Sequence, residues 1–423
     1  MSRRPFDAAQ GGPVPGMALL WMLAGVSFAL LAYEALTLVG SVWRPLLANP
    51  QVLQTDFHYY YDAAVRFAAN RAELYRSSDD VIAGFAYPPP AIVPFMWLSR
   101  LPLGAALVVM TVLSYAVLAG VIVVWVAHLR RQGWRFSATT QWLVTVIVVA
   151  LGPVYMNAIF GQVNAFVLAS AVGFVVLAPS AAAPAGAALA LGVLLKIYPA
   201  LLSLIGLWNR ATRRALVWSV AAAAAIITVL LSVIPAASYS AYLNVVRARG
   251  NKTAIHITNQ SLVAFVERLK HPPGQFLNWT GEQAVTVGST EQVLSWIVVL
   301  AIVALLAQRA GRGQQVASAA GMIALIAIAA PLGWGHTYVM ILPLVMAQAV
   351  AMSEAPPLRS LTIAVCVVCL MIPAGKRVSF IEDAPALIQN LFYSRYLFAS
   401  LALILLPMPE IGRTTKIGGT SDS

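Results

Sequence analysis

Charge is scarce in this 423-residue chain: Asp, Glu, Lys and Arg make up only 10% of the residues, while 60% are hydrophobic. A soluble domain usually has about a quarter of its residues charged, and the mean hydropathy of +0.80 is far above that of such domains. The composition therefore excludes a soluble globular protein. It predicts an all-α polytopic membrane protein, because helices satisfy their own backbone hydrogen bonds in lipid.

Cysteine occurs only twice, as Cys366 and Cys369. Both lie in C-V-V-C inside the apolar run 361–372, which contains no histidine or carboxylate. Because a metal site needs several such ligands, we interpret the pair as small apolar residues of a helix. No metal or other cofactor is predicted, and a requirement for a divalent metal stays open.

Acidic residues are outnumbered, with 15 Asp and Glu against 27 Lys and Arg and a formal net charge of +12. In a soluble protein this excess would suggest a nucleic-acid partner. Here the basic residues flank apolar runs, where they orient helices and contact membrane lipid, so no nucleic-acid partner is predicted. If every candidate span crosses, four basic clusters lie on one side and both termini are cytoplasmic; the clusters are Arg3–Arg4, Arg210–Arg214, Arg309–Arg312 and Arg413–Lys416.

The apolar runs predict about twelve spans, or ten to twelve transmembrane helices, in a single membrane domain of residues 1–423. The first run is interpreted as an uncleaved helix, because it is too long for a signal-peptide core and no small-residue cleavage site follows it. Two large polar loops, 41–87 and 236–292, then face outward. The candidate spans are 17–40, 88–101, 104–128, 138–158, 163–178, 185–207, 215–235, 293–308, 315–331, 337–351, 358–374 and 392–407.

The polar stretch between the third and fourth candidate spans disagrees with this topology. It runs from His128 to Arg135, carries three arginines and would face outward. The segment 88–101 is short for an upright span. If this segment does not cross the membrane, a second non-crossing segment is needed further along the chain to keep the Arg210–Arg214 cluster cytoplasmic. Lys196-Ile197-Tyr198-Pro199, a charge followed by a helix-breaking proline, is the natural place for it.

The first outward loop holds the most informative segment, from Thr55 to Pro90, in which T-D-F-H-Y-Y-Y-D and Y-P-P-P interrupt the apolar sequence. Three- and four-residue spacing of its apolar side chains predicts an interfacial amphipathic helix. Tyr60 and His58, on this helix, are candidate substrate contacts. The apolar face consists of Phe57, Tyr60, Tyr61, Ala64, Phe67, Ala68 and Tyr75, and the polar face of Arg66, Arg71 and Glu73.

Asp56 opens this helix and is the candidate general base, since a carboxylate at the aqueous edge of the membrane can take a proton from an acceptor hydroxyl. An N-cap is an equally weighted alternative, because Asp is favoured at that position. His58 and Asp62 are alternative bases. Asp79-Asp80 is interpreted as an exposed turn and not as a metal site.

Three polar residues between or within apolar runs are candidate donor contacts. Lys196 lies near the middle of a 23-residue apolar stretch, where a charge is costly and usually functional, and it can hold an anionic phosphate. Snorkelling to the interface is its alternative role. Gln162 and Asn164 in F-G-Q-V-N can bind a sugar, or equally join helices through polar contacts.

The second outward loop and a later span end supply the remaining candidates. Asn259, Gln260 and Arg268 offer amides and a cation for substrate. The alternative for this segment is a helix start with Asn259 or Ser261 as its cap. His336 in Trp334-Gly335-His336 is a candidate phosphate ligand or sugar contact at the predicted outer interface. Glu34, in the first span, can orient a basic neighbour.

The ordered set D-F-H-Y-Y-Y-D-A, L-Y, F-A-Y-P-P-P-A, F-G-Q-V-N, L-L-K-I-Y-P, N-Q-S-L and W-G-H-T-Y-V-M-I-L-P-L resembles glycosyltransferase family 87. This family includes mycobacterial polyprenol-phosphate-mannose-dependent mannosyltransferases of phosphatidylinositol mannosides. The resemblance runs from about residue 50 to 345. It implies the GT-C membrane fold, with the aspartate of the first outer loop as base, a role that falls on Asp56.

The same resemblance implies an inverting glycosyltransferase that moves mannose, or another hexose or a pentose, from a polyprenyl-phosphate-linked sugar to a lipid or glycan acceptor. Its active site would face outward from the cytoplasmic membrane, with Lys196, His336 or Arg268 neutralising the leaving phosphate. The chain departs from the mannosyltransferases at Trp334-Gly335-His336-Thr337, which keeps one histidine where they have a pair.

Two other classes of protein remain as alternatives. A secondary transporter also uses broken helices and mid-membrane charges, but it predicts inverted repeats, and none is visible. A ligase or acyltransferase acting on a lipid-linked substrate would rely on a histidine or arginine of the second outward loop, either His256 or Arg268.

Overall fold

The computed structural model describes residues 15–44, 48, 56–75, 84–278 and 284–408. Several features of the sequence fall outside these ranges. They are the basic clusters Arg3–Arg4 and Arg413–Lys416, the residue Thr55 and the pair Asp79-Asp80.

The first half of the described chain is helical, and its apolar composition explains why. It contains α1 (Pro15–Thr37, continued by a π-helical turn Leu38–Trp43), α2 (Phe57–Ala69), short 3-10 turns at Arg71–Glu73 and Pro89–Ile92, α3 (Val93–Leu98), α4 (Leu103–Arg131), α5 (Ala138–Val149), α6 (Gly152–Ile159), α7 (Asn164–Leu177), α8 (Ala182–Leu195), a 3-10 helix Tyr198–Leu207 and α9 (Arg210–Leu230).

The second half adds the other polar loop and further apolar helices. Its elements are α10 (Ala236–Arg249), β1 (Lys252–Ala254), α11 (Leu262–Arg268), α12 (Pro273–Leu277), β2 (Ala284–Thr286), α13 (Ser289–Gly311), α14 (Gln315–Ala329), a 3-10 helix Gly335–Ile341, α15 (Leu342–Met352), α16 (Pro357–Met371), α17 (Ser379–Glu382), α18 (Ala386–Tyr393) and α19 (Arg395–Leu405). The two short strands pair antiparallel, with Thr253 opposite Val285.

The prediction of an all-α polytopic membrane protein is confirmed. In the described ranges five helices are long and apolar enough to cross a membrane, or six if the bent pair α5 and α6 is one span, and seven further apolar helices are shorter. The predicted ten to twelve spans are thus reached only by counting these shorter helices. Helices α14 and α15 form the centre of the bundle, because nearly all their side chains are buried.

The segment 88–101 stays at the end of the bundle that carries α2. The ring of Phe95 stacks on that of Tyr60, and the Tyr61 hydroxyl donates to the carbonyl of Leu101. Helix α4 also starts at this end, where Leu107 lies against Gly161. Its 29 residues extend about 43 Å, so the arginines at its last turn lie at the opposite end.

The chain reverses again at Lys196, as the lysine and proline predicted. Helix α8 ends at Leu195, Lys196 is extended, and the 3-10 helix Tyr198–Leu207 follows with proline in its first turn. Gly206 at the end of this helix packs beside Arg213 in the first turns of α9. Helix α9 therefore follows directly on this break, with Arg210, Arg213 and Arg214 in its first turns.

An amphipathic helix, α2, occurs in the predicted segment, and its buried face consists of Phe57, Tyr60, Ala63, Ala64 and Phe67. The helix ends at Ala69, so Arg71, Glu73 and Tyr75, which were assigned to its faces, lie beyond it. Ala68, which was assigned to that face, is exposed, and Ala63 takes its place. Tyr61 is half-buried and Asp62 is exposed. The helix therefore packs on the end of the bundle through one stripe and leaves the other stripe outside.

Candidate active site

Asp56 immediately precedes α2 but does not cap it. Its backbone is already helical (φ −59°, ψ −20°) and its side chain makes no capping hydrogen bond, so the N-cap interpretation is wrong. An N-capping side chain needs extended backbone to reach the free amides. Instead, the Gln162 amide donates to Oδ2 of Asp56 at 2.7 Å, and the Phe57 amide donates to the carbonyl of Phe160 at 3.0 Å.

Gln162 reaches Asp56 because the turn before it can approach α2 closely. Gly161 has φ +60°, and a Cβ there would lie 2.5 Å from Leu107 Cδ1 and 2.8 Å from Phe57 Cβ. Glycine is therefore required by both the backbone conformation and the space. The other end of the Gln162 amide, Oε1, accepts a hydrogen bond from the Tyr60 hydroxyl at 2.9 Å.

Lys196 is brought to the same place by the break after α8. Its side chain is buried, and Nζ donates to Oδ1 of Asn164 at 2.8 Å. Nζ also lies 5.4 Å and 5.9 Å from the ring centroids of Tyr87 and Tyr198, which is the range of cation–π attraction. The lysine is thus held beside the site by neutral groups and does not snorkel away.

His336 completes the cluster from the opposite side. Its Nδ1 lies 4.0 Å from Oδ2 of Asp56, its ring lies 5.9 Å from that of Phe160, and its backbone carbonyl accepts from Asn164 Nδ2 at 3.3 Å. The structure therefore brings together six of the residues selected from the sequence: Asp56, Tyr60, Gln162, Asn164, Lys196 and His336.

The Asp56 carboxylate is recessed but still open to a substrate, since its side chain is 36% exposed. Burial raises the pKa of Asp56, while the hydrogen bond from Gln162 and the charge of Lys196 act in the opposite direction and lower it. The net direction is upward from its ordinary value of 3.8, and water at the exposed side limits the shift. A carboxylate with a raised pKa is a better general base.

The structure places Asn259, Gln260 and Arg268 in a separate network. Arg268 is buried and donates to Asn390 Oδ1, Ser394 Oγ and the carbonyls of Ile255, His256 and Asn259. The Gln260 amide donates to the carbonyls of Ile257 and Tyr393, and the Asn259 amide donates to the carbonyl of Ala254. These donors serve protein acceptors, so the three residues join the second polar loop to α18 and α19.

The remaining candidates lie near the site or away from it. His58 is half-buried on α2 two residues after Asp56, and Asp62 is exposed on the outer stripe of that helix. Glu34 is buried in α1, and its Oε1 has no hydrogen-bond partner within the described ranges. It therefore does not orient a basic neighbour through that oxygen.

Two aromatic residues at the site were not selected from the sequence as site residues. Tyr87 immediately precedes the proline-rich turn and Phe95 follows it, and their rings lie 4.7 Å and 4.4 Å from that of Tyr60. The tyrosine of Y-P-P-P was the available signal. Arg249, at the end of α10, was also missed; its charge lowers the pKa of Tyr242, which burial raises to about 12.

No cluster of three or more potential metal ligands occurs in the described part of the chain. Cys366 and Cys369 are free thiols in α16. The chemistry available at the site is therefore that of one carboxylate, one buried ammonium, an imidazole and several amides. It can accept a proton from one substrate and hold an anionic group of another.

The fold and this site define a class: a multi-pass helical membrane enzyme with a recessed carboxylate beside a buried lysine. The profile of glycosyltransferase family 87 matches residues 85–290, which include Gln162, Asn164 and Lys196. The chain is therefore similar to glycosyltransferase family 87 over these residues.

Two curated relatives are similar over most of the chain. A polyprenol-phosphate-mannose-dependent alpha-(1-2)-phosphatidylinositol mannoside mannosyltransferase of Mycolicibacterium smegmatis is 27% identical over 356 residues, covering 75% of each chain. The protein of the same name from Mycobacterium tuberculosis is 27% identical over 351 residues, covering 78% of this chain and 75% of its own. No solved structure matches the chain.

Proposed function

We propose that this protein is an inverting glycosyltransferase that moves a sugar from a polyprenyl-phosphate donor to a hydroxyl of a lipid or glycan acceptor. The observation that carries the proposal is the Asp56 carboxylate, held at 2.7 Å by Gln162 and left partly open beside a buried lysine. Mannose is the first sugar to test, because both relatives are polyprenol-phosphate-mannose-dependent.

In the proposed reaction Asp56 takes the proton of the acceptor hydroxyl. The acceptor oxygen attacks the anomeric carbon, the bond from that carbon to the phosphate oxygen breaks, and its electron pair leaves with the polyprenyl phosphate. The proton on Asp56 then returns to water. Attack opposite the leaving group inverts the anomeric configuration.

Lys196 and His336 are the groups proposed to stabilise the leaving phosphate. Lys196 is buried with its ammonium directed to a neutral amide, so no protein carboxylate within salt-bridge distance neutralises it in the described ranges. A fixed positive charge in a site that excludes water stabilises developing negative charge strongly. Arg268, whose donors serve protein acceptors, is not part of this proposal.

The site is proposed to face outward from the cytoplasmic membrane. The arginine-rich end of α4 lies at the end of the bundle opposite Asp56, and basic residues favour the cytoplasmic side. The acceptor is proposed to be a membrane lipid or envelope glycan, with phosphatidylinositol mannoside tested first because the relatives' names contain it.

The test compares wild type, Asp56→Asn and Asp62→Asn in membranes supplied with radiolabelled polyprenyl-phosphate mannose and either phosphatidylinositol mannoside or total membrane lipid. Removing a general base lowers the transfer rate about 10²- to 10⁴-fold, and this loss is expected for Asp56→Asn only. Asp62→Asn is the matched control, since it makes the same change on the exposed face of the same helix.

Two results would overturn the proposal. Undiminished transfer by Asp56→Asn would remove Asp56 as the base. Absence of wild-type transfer from polyprenyl-phosphate mannose, together with transfer from a nucleotide sugar, would remove the polyprenyl-phosphate donor.

A further inference from the structure

Tyr60 is fixed in a single orientation by the rings around it. Its ring stacks on Phe95 with centroids 4.4 Å apart and planes at 9°, and the ring of Tyr87 lies 4.7 Å away on the other side. The side chain is 1% exposed. The hydroxyl therefore has one position, from which it donates to Oε1 of Gln162 at 2.9 Å.

This hydrogen bond and the Asp56 carboxylate together determine which way the Gln162 amide faces, because the carboxylate can only accept. With Oε1 occupied by the Tyr60 hydroxyl, the NH₂ group is directed to Oδ2 of Asp56. The reverse orientation would place the amide oxygen against the carboxylate, and two acceptors repel each other. Gln162 is also buried, at 1% exposed, and its backbone amide donates to the carbonyl of Asn157. Rotation is therefore hindered along the whole residue.

The two oxygens of Asp56 consequently differ. Both contacts of the carboxylate, from Gln162 at 2.7 Å and from His336 at 4.0 Å, are made to Oδ2. Among the described residues no hydrogen-bond donor reaches Oδ1. A donor to one oxygen stabilises charge on that oxygen, so the other is the better placed to accept a proton from outside.

We propose that Gln162 is a positioning residue, locked by Tyr60, that holds Oδ2 of Asp56 and presents Oδ1 as the atom that takes the proton of the acceptor hydroxyl. This role rests on the proposed function of Asp56 as base. It replaces the prediction that Gln162 and Tyr60 contact substrate. It also explains why D-F-H-Y-Y-Y-D and Y-P-P-P occur together: Tyr60 in the first segment depends on Tyr87 in the second and on Phe95 just after it.

The test measures kcat, the donor KM and the pH profile of transfer for Gln162→Leu, Tyr60→Phe and the double variant. Loss of the amide donor raises the pKa of Asp56, so the acid limb of the kcat profile moves up by about one pH unit. The titratable groups facing this carboxylate, Lys196, His336, Tyr60 and Tyr87, are present in Gln162→Leu.

Misplacement of the base lowers kcat of Gln162→Leu about 10- to 100-fold, with the donor KM unchanged. Tyr60→Phe shifts the acid limb of the kcat pH profile in the same direction and lowers kcat about 5-fold, which is the effect of one lost hydrogen bond. The double variant should be no worse than Gln162→Leu, because in the proposed role the hydroxyl acts on Asp56 through the amide. Tyr61→Phe is the matched control, since its hydroxyl donates to the Leu101 carbonyl; both readouts should stay at wild type.

An unmoved acid limb in both single variants, or a raised donor KM with kcat retained, would overturn this role and return Gln162 to substrate binding. Additive losses in the double variant would overturn the coupling through Tyr60. Asp56→Asn separates the two proposals, because undiminished transfer there removes the base itself, whereas failure of the Gln162 and Tyr60 variants alone leaves it standing.

Discussion

The two polar networks of this protein both combine a buried cation with side-chain amides but are arranged differently. One contains Asp56, Gln162, Asn164, Lys196 and His336 at the end of the bundle that carries α2. The other is centred on Arg268 in the second polar loop. In the first network the carboxylate is 36% exposed, and the ammonium faces a neutral amide. In the second, the cation is enclosed by protein acceptors.

This difference distinguishes a site that can bind substrate from a network that only stabilises the fold. All three nitrogens of the buried Arg268 guanidinium donate to protein groups, and these hydrogen bonds join α11 to α18 and α19. A buried ammonium that donates to one amide retains the capacity to bind an anion. Burial and charge alone do not distinguish the two cases; the allocation of hydrogen bonds does.

Arg268→Met should have the largest effect on stability of any variant discussed here. It leaves buried acceptors, including the carbonyl of Asn259 and Oδ1 of Asn390, without their donor. The expected cost is about 3 kcal/mol or more of unfolding free energy, measured as thermal unfolding in detergent. Arg247→Met is the matched control, because that arginine is exposed and its side chain makes a long hydrogen bond to Asn244.

The structural role of Arg268 would be contradicted if Arg268→Met kept its stability but lost sugar transfer per folded molecule. That outcome would return Arg268 to the reaction as a phosphate ligand.

Lys196→Met should have the opposite pattern, with a large loss of transfer and no loss of stability. Replacing a buried charge by an apolar side chain of similar volume is often neutral or stabilising, whereas loss of a cation at a developing phosphate charge lowers kcat about 10²-fold. Lys270→Met, which removes a surface lysine paired with Glu267 and Glu291, is the matched control and should keep its activity. A destabilised Lys196→Met with normal kcat would make Lys196 a structural residue.

Much of this arrangement was predictable from local sequence. Apolar runs placed the helices, because hydropathy depends only on neighbouring residues, and Lys196 with Pro199 predicted the break that brings the lysine to Asp56. The amphipathic face of α2 followed from three- and four-residue spacing. Each of these predictions uses information contained within about one helix.

The division into two networks was not predictable, because it depends on which distant groups meet. Nothing local to Arg268 indicates that Asn390, 122 positions along the chain, accepts its hydrogen bond. Likewise, local sequence favours a cap of α2 and a general base equally for Asp56. The hydrogen bond from Gln162, 106 positions away, is what the local sequence does not contain. The helical backbone of Asp56 then excludes the cap.

The second network also predicts a pH dependence of stability. Burial and then the charge of Arg268 lower the pKa of His256 from 6.5 to about 4. Because the folded state disfavours the charged imidazole, the unfolded chain binds more protons between these values. The contribution of His256 is therefore fully present above about pH 6.5 and is lost as the pH falls toward 4.

His256→Gln isolates this contribution, since the variant keeps a polar side chain that does not titrate. Thermal unfolding of wild type and variant should be measured from pH 8 to pH 4. We expect the Tm of wild type to fall more steeply than that of the variant below pH 6.5, and the difference to level off near pH 4. Parallel curves would mean that His256 takes up its proton without resistance from Arg268, and that the second polar loop opens to water more readily than its closed hydrogen bonds imply.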